Sequence, residues 1–213
     1  MRIGAAIRRA AGPLEPLLAD TYRAMFFDIA GFAGKVAALD PERRAREVVE
    51  VGCGEGALIS HLVVRLPKAT FTGIDTAQSL GRLFSGHWSR TVFRRITAEA
   101  LAAERLHDAD IVLLCDVLHH VPPVDRATVL EACARLLKPG GKLVVKEWIR
   151  QPTPAYWAGW LSDRFITGDR VVYQTREEWL QQVAHAVPEL RLEDEWALGP
   201  WACNHAFVFE SAK

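Results

Sequence analysis

The sequence has no excess of charge of either sign: lysine plus arginine and aspartate plus glutamate each total 26 among 213 residues. Without a surplus of cations there is no broad field to hold a polyanion by counterion release, so nucleic acid is not an expected partner. Cysteine is sparse. Cys53, Cys115, Cys133 and Cys203 lie far apart, and none forms the close pair that zinc sites and dithiol redox motifs require. They are read as reduced thiols of a cytoplasmic protein, and no metal is expected. Long hydrophobic runs are missing as well. Nothing approaches the roughly 20 apolar residues that span a bilayer, so no membrane association is expected. Residues 1–11 carry Arg2, Arg8 and Arg9 among alanines but no apolar h-region, and read as a basic terminus rather than a targeting segment.

What is present is apolar mass in short pieces. Half of the residues are hydrophobic, enough for one substantial core, and residues 1–213 are expected to form a single domain. Over residues 14–40, Leu17, Leu18, Tyr22, Met25, Phe26, Ile29 and Phe32 recur at helical spacing, interrupted by Gly31 and Gly34, which predicts one or two N-terminal helices. Residues 47–51, 71–74, 92–96, 111–115 and 142–145 then read as strands. The stretches 57–66, 77–88, 98–105 and 124–137 between them read as helices. Such alternation predicts an α/β fold with a doubly wound, mostly parallel sheet covered on both faces. Ligands in such sheets sit outside the carboxyl ends of the strands, near the switch point, so motifs at strand exits carry the functional weight. Residues 151–186 break the rhythm with Pro152, Pro154 and the aromatics Tyr156, Trp157, Trp160, Phe165, Tyr173 and Trp179. A strand pair across Gly199-Pro200 closes the segment 190–210.

Four segments carry chemistry. In the first, Glu50-Val51-Gly52-Cys53-Gly54-Glu55-Gly56, a buried strand runs into a glycine-rich turn and a helix, where the backbone can approach a ligand and the helix offers free N–H groups. Gly52, Gly54 and Ala57 also satisfy the dinucleotide pattern, with Asp75 about 20 residues on, so the glycines alone do not choose between cofactors. Asp75, after Gly73-Ile74, is placed to accept both hydroxyls of a ribose, which an adenosyl nucleoside or a dinucleotide would offer. The third segment, 110–122, is a buried strand whose exit carries Asp116, His119 and His120, polar side chains that are costly to order unless something binds there. The fourth, Lys138-Pro139-Gly140-Gly141-Lys142, ends a helix before the next strand and reads as structural.

Together these segments resemble the class I S-adenosylmethionine-dependent methyltransferases of small molecules, over residues 47–146 and more weakly to the C-terminus. The combination of E-V-G-C-G-E-G, G-I-D, L-C-D-V-L-H-H-V-P and L-L-K-P-G-G-K-L carries the likeness, and the last two segments are not those of a nicotinamide oxidoreductase. The resemblance implies a Rossmann-like sheet of seven strands with the last antiparallel, N-terminal helices, a cofactor-binding core over 46–147 and a helical substrate cap over 151–186. It implies S-adenosylmethionine as cofactor. Glu50, Gly52, Cys53, Gly54 and Gly56 would line its methionine and ribose end and Asp75 would hold the ribose. Asp116 would lie beside the methionine portion, Thr97, Ala98 or Glu99 near the adenine, and Tyr22 would close over it.

By the same resemblance the reaction is transfer of a methyl group to a small-molecule acceptor, an oxygen or nitrogen nucleophile, by in-line displacement. His119 is the first choice as catalytic base and His120 the second, with Tyr156, Trp157 and Trp160 as acceptor contacts. The N-P-P-Y-type segment of base-modifying amino-methyltransferases is replaced by C-D-V-L-H-H, which again argues against nucleic acid. A homodimer is compatible with the sequence. The alternative function is a protein that binds S-adenosylmethionine without transferring its methyl group, and a nicotinamide oxidoreductase ranks below that.

Overall fold

A computed structural model describes residues 27–162, 171–201 and 203–212. The expected N-terminal helix positions before residue 27, Tyr22 among them, and Phe165 lie outside the described residues. In chain order the elements are α1 (Ile29–Ala38), β1 (Glu47–Val51), α2 (Ala57–Arg65), β2 (Thr70–Ile74), β3 (Thr91–Arg94), α3 (Ala98–Glu104), β4 (Ala109–Cys115), α4 (Arg126–Leu136), β5 (Leu137–Trp148), α5 (Pro154–Ser162), α6 (Arg176–Ala186), β6 (Leu190–Leu198) and β7 (Asn204–Ser211).

The strands form one seven-stranded sheet in the order β3-β2-β1-β4-β5-β7-β6. β1 to β5 pair in parallel, and β7 runs antiparallel to both β5 and β6. The order reverses between β1 and β4, which puts the switch point, and hence the ligand crevice, at the ends of these two strands. Central strands buried on both faces read as unbroken apolar runs, and β4 shows it: Val112, Leu113 and Leu114 have no exposed surface. Each such side chain is worth about 1.5–3 kcal/mol of burial. Helices α3, α4 and α6 cover one face, where Leu101, Leu130 and Trp179 meet Val112, Leu114 and Val145. Helices α1 and α2 cover the other, where Phe32 and Leu62 meet Val48, Leu113 and Val144. Strand alternation therefore sends neighbouring residues of β5 to opposite faces.

Two expectations are corrected. Residues 77–88 form no helix but a run of turns ending in a 3-10 turn at Trp88–Arg90. The amides of Gly81 and Leu83 donate to Gly54 O and Glu55 O at 2.9 and 3.0 Å, so they hold the glycine-rich turn instead of a helical ladder. Gly81 itself has φ +63°, and a Cβ there would lie 2.7 Å from Phe93. Gly31 and Gly34, expected to interrupt a helix, lie inside α1. The carboxylate of Asp28 caps this helix by accepting from the Gly31 amide at 2.9 Å, and a Cβ at residue 31 would collide with that carboxylate. No helix among the described residues is long and apolar enough to cross a membrane, and all four cysteines are free.

Candidate active site

The exit of β1 is a turn built on left-handed backbone: Gly52, Gly54 and Gly56 have φ of +73°, +48° and +84°. The Gly52 and Cys53 amides donate to Ile74 O at 2.8 and 3.1 Å, which locks the turn to the end of β2. Asp75 follows there. Its two carboxylate oxygens accept from the Gly54 amide and the Ala77 amide, each at 2.8 Å. Each oxygen keeps a further lone pair, so a carboxylate fixed in this way can still accept from a pair of hydroxyls.

The two glycines before and within the turn have different jobs. A Cβ on Gly52 would lie 2.2 Å from Val117 Cγ2, whereas one on Gly54 meets nothing within 4 Å. Gly52→Ala is therefore expected to cost about 2 kcal/mol or more through strain and overlap, lowering the melting midpoint by several degrees. Gly54→Ala fills the open space over the turn, so it is expected to weaken adenosyl ligands about tenfold with a smaller fall in midpoint. Calorimetry and thermal unfolding of the two variants separate these effects.

Beneath the turn lies Glu50, 5% exposed, whose Oε2 has no hydrogen-bond partner among the described residues. Burial pushes its carboxyl from 4.5 up to about 8, the negative charge of Asp75 adds to the rise, and the Ile59 backbone partly opposes it. A buried carboxyl with one unpartnered oxygen is ionised most readily by a cationic group brought beside it, so the place suits a cation. With the open space at Gly54 and the Asp75 acceptors, the residues present fit S-adenosylmethionine, which carries a ribose, an ammonium and a sulfonium.

The same carboxyl makes stability depend on pH. A folded-state value raised above the unfolded one favours the protonated form, so its contribution is present below pH 4.5 and is lost as pH rises through about 8. The ligand-free protein is expected to melt several degrees lower at pH 9 than at pH 6. Glu50→Gln should flatten that slope while weakening the cationic cofactor about tenfold.

Of the other expected cofactor contacts, Cys53 is buried, with its thiol pushed up by burial. Thr97 caps α3 by accepting from the Ala100 amide at 3.3 Å. Ala98 packs into the core beside Ile74, and Glu99 is half-buried. All three stand at the exit of β3, two strands from the turn.

The exits of β4 and β5 form the second half of the site. Asp116 takes a left-handed φ of +56°, and its amide donates to Lys146 O at 2.8 Å. Lys146, 1% exposed, donates from Nζ to both Asp116 oxygens at 2.8 and 2.6 Å and lies 4.2 Å from the centre of the Phe27 ring. A 3-10 turn, Leu118–His120, then brings His119 back over β5. His119 is 4% exposed, and its Nδ1 lies 2.6 Å from Oε2 of Glu147, a carboxylate with no exposed surface. Oε1 of Glu147 accepts from the Val117 and Leu118 amides at 3.2 and 2.8 Å. The carboxylate is thus fixed by the turn that carries the imidazole.

An acceptor of this kind opposite Nδ1 sets the tautomer: Nδ1 carries the proton, and Nε2 is the nitrogen that takes another. Asp116, His119 and Glu147 stand near enough together to share a metal ion. Each of their carboxylate oxygens already has a partner: the Lys146 ammonium on both oxygens of Asp116, and two amides and His119 Nδ1 on those of Glu147.

Aromatic rings continue from the imidazole. Tyr173 stacks on His119 at 5.1 Å, Tyr156 meets Tyr173 at 5.7 Å, and Trp157 and Trp160 follow at 5.3 and 6.1 Å. Tyr156 is buried and Trp157 is 54% exposed. His120, 4.2 Å from the His119 ring, faces solvent. The geometry thus joins His119 and Tyr156 through Tyr173 and leaves His120 and Trp157 on the outer side. Glu147, Lys146, Tyr173 and the buried Arg126 were not singled out as site residues. The signal for Glu147 was a strand that continues past Val145 as Lys146-Glu147-Trp148, putting an acid on the buried face.

Residues 49–143 match the family model of a methyltransferase domain. Over 113 residues, half of this chain, the sequence is 39% identical to a ubiquinone biosynthesis O-methyltransferase of Pseudomonas putida, covering 46% of that protein. The chain spans about half the length of the curated relatives it matches. Among solved structures, an O-methyltransferase family protein of Burkholderia thailandensis superposes with a TM-score of 0.70 at 18% identity, covering 100% of this chain and 64% of that one. A 1,6-didemethyltoxoflavin-N1-methyltransferase of the same organism, with 1,6-didemethyltoxoflavin and S-adenosylhomocysteine bound, superposes with a TM-score of 0.68 at 16% identity, covering 98% and 88%.

Proposed function

We propose that this chain, whose residues 49–143 match a methyltransferase domain, is a class I S-adenosylmethionine-dependent methyltransferase and that it transfers a methyl group from S-adenosylmethionine to a hydroxyl of a small planar acceptor, with His119 as general base. The observation that carries the oxygen nucleophile is the buried His119–Glu147 pair at 2.6 Å. A hydroxyl needs its proton removed as it attacks, whereas an amine can attack with its lone pair.

S-adenosylmethionine supplies an electrophilic methyl on a sulfonium. The chain does the rest by holding, orienting and excluding water. Asp75 would accept from the ribose hydroxyls and Glu50 would face the cationic end, with Thr97, Ala98 and Glu99 at the adenine end. Asp116, held by Lys146, would border the methionine portion. His119 takes the acceptor's proton at Nε2, and Glu147 stabilises the imidazolium through Nδ1. Tyr156, Trp157 and Trp160 of α5, with Tyr173, form an apolar wall against which a flat acceptor can lie, while α6 packs on the sheet instead of capping the site. His120 binds at the mouth rather than acting as the base.

Balanced charge favours a small acceptor over nucleic acid, and four unpaired thiols favour the cytoplasm. The ubiquinone biosynthesis relatives favour a biosynthetic role. The test is release of S-adenosylhomocysteine against a panel of phenols, enols, amines and thiols. The proposal expects turnover with planar hydroxyl compounds. Turnover with amines or thiols alone would overturn it, and tight cofactor binding with no turnover on any acceptor would favour a binding protein.

A further inference from the structure

Arg126 is the first residue of α4, yet its side chain has no exposed surface. Its Nε donates to Val121 O at 3.0 Å and its Nη2 to Val172 O at 2.8 Å, while the guanidinium lies 5.0 Å from the centre of the Trp179 ring on α6. The Val172 amide in turn donates to His119 O at 3.0 Å. The next residue is Tyr173, whose ring stacks on the His119 imidazole at 5.1 Å. One guanidinium therefore ties together the two ends of a small frame: the turn that carries His119 and the segment that carries the ring packed on it.

Burying this group is unfavourable. Nη1 has no hydrogen-bond partner among the described residues, and burial lowers the affinity of the guanidinium for its proton, with the charge of Glu147 opposing. An apolar side chain of similar volume would fill the space without that cost. What it would not supply is a planar fork able to reach two carbonyls at once.

We propose that Arg126 is a positioning residue for the methyl transfer: its fork pins residue 172 to the His119 turn and so fixes Tyr173 against the imidazole, holding Nε2 toward the acceptor. The inference rests on the reading of His119 as the base. Glu147 faces the imidazole from β5, Asp116 stands at the exit of β4, Tyr173 stacks on the ring, and His120 flanks it from its own turn.

Residue-resolved hydrogen exchange of the full chain tests the tie without any acceptor. In Arg126→Met, the Val172 amide should exchange at least tenfold faster than in wild type, with β4 and β5 protected as before and S-adenosylhomocysteine affinity within twofold. Arg126→Lys should fall between, because an ammonium does not span both carbonyls in the same plane. Should the methionine variant fail to fold, the lysine variant against wild type makes the same comparison.

Unchanged exchange at Val172 would overturn the proposal. With a methylated hydroxyl acceptor in hand, kcat should fall at least tenfold at constant KM for the cofactor, and the limb of the pH profile that reports His119 should move. A merely structural role would lower the active fraction and leave that limb in place. Faster exchange with an unmoved limb would also overturn the proposal, since the tie would then not reach the imidazole. If no acceptor of any kind is methylated, the functional reading fails while the exchange result still stands.

Discussion

His119→Ala lowers kcat by about 10²- to 10⁴-fold for a hydroxyl acceptor, with S-adenosylhomocysteine binding within about twofold of wild type. The imidazole stands at the exit of β4 and Asp75 at the exit of β2, so removing one leaves the other intact. Glu147→Gln should cost nearly as much as His119→Ala, and the reason is geometric. Oε1 of Glu147 accepts from the Val117 and Leu118 amides, so a glutamine would keep its oxygen there and turn its NH2 toward His119. Nδ1 would then have to accept, the proton would move to Nε2, and the base would present the wrong tautomer. Steady-state rates with calorimetry on both variants check this. A loss of cofactor affinity matching the loss of rate would point to collapse of the turn rather than removal of a base.

Asp75→Ala weakens S-adenosylmethionine and S-adenosylhomocysteine by about 10²-fold or more, again by calorimetry. Two effects add. The ribose loses hydrogen bonds to a charged acceptor, each worth about 1.5–3 kcal/mol. The Gly54 and Ala77 amides also lose the oxygens that hold them, so the glycine-rich turn loosens. Asp75→Asn, which keeps one acceptor, should retain part of the affinity. Cofactor affinity unchanged in Asp75→Ala would remove this residue from the ribose site.

Strand exits were legible because their residue types are constrained by backbone and burial. Three glycines at positive φ and an acid at the next strand's end admit few arrangements, and the structure joins them through the bond from Gly54 to Asp75. His119 in the turn after β4 follows the same logic, whereas seven strands with an antiparallel last one are what the family resemblance implies, and the sheet has both.

What was not legible depends on partners distant in sequence. Residues 77–88 have helical spacing of apolar side chains, but their amides serve the glycine-rich turn, a tertiary bond that no local pattern reveals. Glu147 and Arg126 look like ordinary charged residues of a strand and a helix start. Only the fold shows that each is without exposed surface, one against an imidazole and the other against two carbonyls.

The most direct test of the account is to locate the transferred methyl group. The protein is incubated with S-adenosylmethionine labelled with carbon-13 on its methyl and an acceptor bearing both a phenolic hydroxyl and an aromatic amine, and the product is read by NMR. The account predicts label on oxygen in wild type and its loss in His119→Ala. Label on nitrogen or carbon, or equal oxygen labelling by both proteins, would contradict it.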